Sequence, residues 1–503
     1  MKETMNRREF VKYAGGGIAT LLIGSMMPSW ISGDSQLANT TVLAQELKFT
    51  ITDAMKNMVT HNSENKAQCY FWLYKEENFP AEIPGPNIIT TVGSTVKVTV
   101  TNALDEPHAF YISGLVDTGP IRPGETKTVE FVPDAAGTYL YYDNLNAPVN
   151  RMMGLHGALV VMPNEPVGGH NYTPYSNPTP AVQQLFDDLG SSEHFPGLSW
   201  EEGDPASHTP AFRQYIWILH EASSRLFTEV GNYTAGKDYP AAQFVKSFQT
   251  DRFRSDGKNK KPEFFTINGQ SGYFAAHNPY IAPNHRVGEP AIIRILNAGL
   301  SMHSLHLHGN HVYVTGVNGE AMDNVIWLDT YTSNPLETVE WVVPFTRPPD
   351  IPNVRGIGLA DEPLMSIGNP AIPGSAPHPV WPPTDELNMH FPEIGTRTGN
   401  FDISVRLSPI CYPMHDHAET SQSAQGGNYG LGMMSGLAII GDRNTPEGVI
   451  TFPNSPTNHG PEFTGPAAGY GNGSMQMKSS EAAGQGNQIE PKPPENGSHK
   501  GGH

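Results

Sequence analysis

The chain has 503 residues, only two cysteines and a formal net charge of −19 at pH 7. The acidic balance excludes a phosphate-reading surface, which needs clustered Lys and Arg, so no nucleic-acid partner is expected. Two cysteines exclude a disulfide framework and a four-cysteine zinc site, and allow at most one bridge, Cys69 to Cys411.

Residues 1–44 read as an address. Arg7 and Arg8 are followed by Phe10 and Lys12, then by a mostly apolar run from Tyr13 to Met27. This resembles a twin-arginine export signal. The run is short and Gly-rich for a membrane span. Val42-Leu43-Ala44 offers a cleavage site; the alternative is an uncleaved N-terminal anchor. The expected location is periplasmic or extracellular, with no transmembrane segment in the mature chain.

The 51 glycines and 45 prolines favour short strands and many turns. A repeat organises most of the remaining chain. Val92-Gly93, eight residues and Asn102-Ala103 match Val287-Gly288, eight residues and Asn297-Ala298. Six residues beyond each Asn lies a histidine, His108 and His303; twelve beyond lies Gly114 or Gly309. Val96, Val98 and Val100 share one strand face, with Lys97, Thr99 and Thr101 on the other. Ile293 and Ile295 share a face opposite Ile292, Arg294 and Leu296. The class is all-β, with two sandwiches at about 46–163 and 212–442. Between them, 164–211 reads as a linker with one short helix around Ala181–Leu189. A proline-dense insertion runs over 346–400, and the tail 453–503 has a disordered composition.

Some of the 20 histidines are tightly clustered in the second repeat. His303, His306 and His308 fall within six residues, and His415-Asp416-His417 forms a second His-x-His pair. Side chains at i and i+2 of a strand share a face, so two such pairs on neighbouring strands present four imidazoles to one space. Such a set suits copper, zinc, iron or nickel. His303, His306, His308, His415 and His417 are the candidate metal ligands. Asp416 is read as a turn carboxylate or as a partner that orients a ligand histidine.

At these residues the chain resembles the multicopper oxidases and their relatives, the laccase and copper nitrite reductase group. The signature His-x-x-His-x-His-Gly is matched by His303, His306, His308 and Gly309, and Pro84-Gly85-Pro86 before the first long strand is also typical. The resemblance implies two cupredoxin-like Greek-key β-sandwiches and copper as cofactor. It also implies a small-molecule or metal substrate, dioxygen as a candidate co-substrate, and a layout that in relatives forms trimers.

The resemblance also marks departures. In the family a His-Cys-His triplet supplies the thiolate of the type 1 copper; here the triplet is His415-Asp416-His417. The type 1 histidine five residues after the cysteine falls on Ser421. In domain one, Tyr111 and Ser113 stand where His306 and His308 stand, and Tyr142-Asp143-Asn144 where His415-Asp416-His417 stand. Domain one is therefore expected to hold no metal ligands. The expectation is an exported copper-binding oxidoreductase without a standard type 1 blue copper. The alternatives are a non-catalytic copper-handling protein and a metal-free cupredoxin scaffold.

Overall fold

The computed structural model describes residues 41–43, 46–59, 66–163, 168–188, 214–249, 264–276, 278, 280–285, 290–308, 310–345, 410–418, 421 and 432–439. The twin-arginine segment, the insertion 346–400 and the tail 453–503 lie outside them.

The first sandwich faces a four-stranded sheet against a six-stranded one. The former runs Lys66–Glu76, Glu46–Val59, Val96–Asn102, Thr126–Phe131. The latter runs Thr41–Leu43, Asn87–Thr91, His156–Met162, Gly137–Tyr142, Tyr111–Ile112, Val116–Asp117. Alternation drives this assembly. Val96, Val98 and Val100 are buried, while Thr99 and Thr101 face outward and pair their hydroxyls with Thr128 and Thr126 at 3.0 and 2.9 Å. Inside, Phe49 stacks on Phe110 and Tyr141. Each such ring contributes about 1.5–3 kcal/mol by leaving water.

The second sandwich repeats the plan. One sheet runs Phe264–Ile267, Gln214–Ala222, Ala291–Asn297, Thr338–Val343, Val312–Val317, Glu320–Leu328. The other runs Asn284–His285, Met434–Ile439, Ile410–Asp416, His303–Leu307, Thr330–Ser333. Glu46–Val59 runs parallel to Val96–Asn102, as Gln214–Ala222 does to Ala291–Asn297. Asn87–Thr91 runs parallel to His156–Met162, as Asn284–His285 does to Met434–Ile439. The repeated asparagines do one job in both. Asn102 donates to the carbonyls of Glu106 and Ile121 and accepts from Leu104 N–H; Asn297 donates to Ser301 and Ser333 and accepts from Gly299 N–H. Each ties the loop that leads into its repeat histidine.

Strand Ala291–Asn297 is buried on both faces. Ile293 and Ile295 enter the core of the second sandwich. Ile292 and Leu296 enter a third cluster with Leu140, Ala158 and Val160 of the first. That cluster joins the two domains, so the strand is apolar on two sides.

Two boundaries differ from the sequence-based reading. Thr41–Leu43, placed within the signal segment, pairs in parallel with Asn87–Ile89 as an edge strand. The stretch read as a linker packs where it is described. Helix Pro180–Asp188 sets Val182, Leu185 and Phe186 on one face, and these join Tyr175 in the interdomain cluster. The segment is rich in Pro, Gly and acidic residues, but a few apolar side chains at helical spacing decide its packing. Among the described residues no helix is long and apolar enough to cross a membrane.

Candidate metal centre

The centre is built on neighbouring strands. His303–Leu307 pairs antiparallel with Ile410–Asp416, with His306 directly opposite His415. Leu305, Leu307 and Met414 point inward to the core, which turns His306 and His415 to the outer face. His308 and His417 flank that pair from opposite ends, since the strands run antiparallel: the His308 N–H bonds the Pro413 carbonyl and the His417 N–H the Ser304 carbonyl. The four rings gather closely: His306 lies 4.6 Å from His308 and from His417 and 5.4 Å from His415, between ring centroids. His308 lies 5.1 Å from His415, and His415 stacks on His417 at 5.2 Å. His415 is buried, His306 half-buried, and His308 and His417 exposed.

Ring nitrogens converge as well. One nitrogen each from His306, His415 and His417 lie within 4.8 Å of one another. The Nε2 atoms of His308 and His415 face each other at 3.0 Å. Two nitrogens at a right angle around one ion, each on a bond of about 2.0–2.1 Å, would stand about 2.9 Å apart. The donor set therefore fits a transition-metal ion that takes imidazoles, copper among them.

Neighbouring groups set the tautomers. His306 Nδ1–H is directed at Thr330 Oγ1 (2.9 Å) and the Asp329 carbonyl (3.1 Å), with Asp329 Oδ2 at 3.6 Å. This leaves the His306 Nε2 lone pair for a metal. His415 Nδ1 donates to the Asp416 carbonyl at 3.2 Å, which places the lone pair on the Nε2 that faces His308. Burial, helped by the neighbouring imidazoles, pushes the His306 and His308 pKa values down. Neutral rings are the ligating form. Asp329 and Thr330 escaped the sequence reading, because they lie outside both His-x-His motifs, Thr330 opening the strand Thr330–Ser333 and Asp329 just before it.

His303 is placed apart from this cluster. It is fully buried and turned to the core side, with Nδ1 bonded to Asp416 Oδ2 at 2.5 Å and Nε2 3.3 Å from Glu221 Oε1. With a carboxylate at each ring nitrogen, His303 is not offered to the metal cluster. Burial opposes its charge, but hydrogen bonds and attraction from Asp416 and Glu221 win and raise its pKa to about 9. Glu221 would be raised by burial, yet its bonds to His303 and the Ser301 N–H hold it down to about 2. Asp416 carries two tasks. Its carboxylate takes His303, the Ser304 and Ala418 N–H groups and the Ser421 hydroxyl (2.6 Å), while its carbonyl orients His415.

Domain one repeats the buried half and lacks the outer half. His108 Nδ1 bonds Asp143 Oδ2 at 2.7 Å, and Asn150 donates to the same oxygen at 2.9 Å. Tyr111 stands opposite Tyr142, in the register of His306 and His415, and the two rings meet edge to face at 5.3 Å. His156 and His220 are both buried, with ring centroids 4.6 Å apart where the domains meet. Cys69 is buried in the first core; the Cys411 side chain lies outside the described residues.

The fold and site define a two-domain β-sandwich protein with a clustered-imidazole centre on its second domain. Two family profiles described as multicopper oxidase match, at residues 78–166 and 245–346. Over 98 residues the chain is 38% identical to an L-ascorbate oxidase of Cucumis sativus, covering 17% of this chain and 16% of that one. Over 125 residues it is 29% identical to the multicopper oxidase MCE of Talaromyces pinophilus, covering 22% and 19%. The matched stretches thus span less than a fifth of either relative. A solved blue copper oxidase from Nitrosomonas europaea is 17% identical, aligned over 83% of this chain and 92% of that one, with a TM-score of 0.46. Both sandwiches thus carry regions matched by multicopper oxidase family models, and the two local relatives support a resemblance to that copper-binding superfamily.

Proposed function

We propose that this protein is an exported copper-dependent oxidoreductase that works from a histidine-rich site without a standard type 1 copper. The observation that carries the reading is the register of His306 opposite His415, with His308 and His417 closing the group. Copper held there would supply one-electron redox chemistry to a small-molecule or metal substrate, with dioxygen as the acceptor. Thr330 and the Asp329 carbonyl hold the His306 ring, and the Asp416 carbonyl holds His415, so the ligands are oriented before an ion arrives. The exposed rings of His308 and His417 leave a solvent-facing approach for substrate. Thiolate ligation, the usual route for electrons, has no counterpart at Asp416, because a carboxylate cannot form the soft bond of a blue site.

That same exposure favours the second reading, a copper-handling protein that exchanges its ion with a partner without turnover. The test is oxygen consumption by copper-loaded protein with phenolic and Cu(I) substrates, compared with a His306→Ala/His415→Ala variant. Consumption lost in the variant supports the enzyme. Copper binding without consumption supports the carrier. The twin-arginine pattern supports export, and a fusion of residues 1–44 to a reporter tests it. The two-domain layout supports a homotrimer, which light scattering in solution reads directly.

A further inference from the structure

The geometry points to Met434 as a thioether ligand of the same centre, making it a site for Cu(I) as well as Cu(II). This rests on the copper reading. A continuous cross-strand row carries it. Thr330 stands opposite His306, His306 opposite His415, and His415 opposite Met434, across four adjacent strands. Directly opposed residues project to one face with Cβ atoms about 4.5–5.5 Å apart.

Burial fixes which methionine faces the site. Met433 lies fully buried in the core of the second sandwich, and Ser435 is turned inward, with its hydroxyl on the Ile281 carbonyl at 3.0 Å. Met434 lies between them, so strand alternation sends it to the opposite, imidazole-bearing face, where it is half-buried. A methionine has three flexible torsions and a polarisable sulfur, enough to reach an ion beside its cross-strand neighbour. At one end of the row Thr330 orients a ring; at the other, Met434 offers sulfur. Imidazole with thioether is a donor set that selects Cu(I), whereas imidazole alone suits Cu(II), zinc, iron and nickel.

The test is copper K-edge X-ray absorption on Cu(I)-loaded wild type and Met434→Leu, with competition titrations for Cu(I) and Cu(II). A sulfur bonded to copper in the wild type, absent in the variant, is the expected result. Leucine conserves volume, and the metal-free unfolding midpoint reports that the variant folds. Cu(I) affinity should fall about tenfold or more while Cu(II) affinity changes less than about threefold. A nitrogen-only shell in copper-bound wild type overturns the thioether and leaves the histidine site standing. Sulfur retained in Met434→Leu also overturns it, and assigns that sulfur to another residue. Failure of the wild type to bind either ion removes this inference together with the copper reading.

Discussion

His303 and Asp416 share a hydrogen bond of 2.5 Å, and the equivalent His108 and Asp143 share one of 2.7 Å. In the second domain Ser421 adds its hydroxyl to the same Asp416 oxygen. Asp416 and Ser421 stand where the resemblance places the cysteine and histidine ligands of a type 1 copper, and Met433 N–H donates to the Ser421 carbonyl beside them. The position is occupied by residues that satisfy one another. Copper(II)-loaded protein should therefore show no intense thiolate-to-copper absorption in the visible range. An absorption spectrum during titration checks this; a strong blue band would point to Cys411 as a ligand.

Stability should peak near neutral pH, for two opposed reasons. The folded pKa of His303 is about 9, above the ordinary 6.5. Its contribution, about 3 kcal/mol, is fully present below pH 6.5 and lost as pH rises through 9. Burial lowers His220 to about 4 and lowers His156 as well. The unfolded chain takes up those protons first, so stability also falls as pH drops from 6.5 through 4. Thermal unfolding from pH 4 to pH 10 should give a maximum between these limbs. Glu221→Gln should move the alkaline limb to lower pH by removing one anion from His303.

The His306 support can be tested apart from the ligands. Thr330→Val keeps shape and removes the hydroxyl that holds Nδ1. Copper affinity should fall about 10- to 100-fold, with the metal-free melting temperature little changed. Isothermal titration reads the first and calorimetry the second.

A buried cation ties the domains. Arg294 donates to Gln214 Oε1 at 2.9 Å and to Thr138 Oγ1 of domain one at 2.8 Å, and lies 3.9 Å from Glu340 Oε1. Arg294→Leu should cost about 3–5 kcal/mol, because it strands the Glu340 carboxylate in the interior. Adding Glu340→Gln should recover much of the loss. Denaturant unfolding of both variants checks the order.

The repeat was legible because the same physics acts twice. Strand alternation at Val96–Val100 and the Asn102 and Asn297 loop ties recur at fixed spacing. The His-x-His pairs were legible only as pairs, since i and i+2 share a face on any strand. That His306 meets His415, and that Asp329 and Thr330 stand behind it, depends on strand register, which no local pattern encodes. Glu221 was hidden in an apolar strand, where a carboxylate is expected at a solvent edge instead of beside a buried histidine. Met433 and Met434 read alike until the strand phase separates core from outer face. Composition hid the packing of 168–188 for the reason that it averages over the four side chains that matter.

The most direct test of the central claim is copper per chain by elemental analysis after loading and dialysis, beside His306→Ala/His415→Ala. About one or two coppers in the wild type and none in the variant is the predicted result for a clustered-imidazole site. No copper in the wild type, or equal copper in both proteins, would contradict the account.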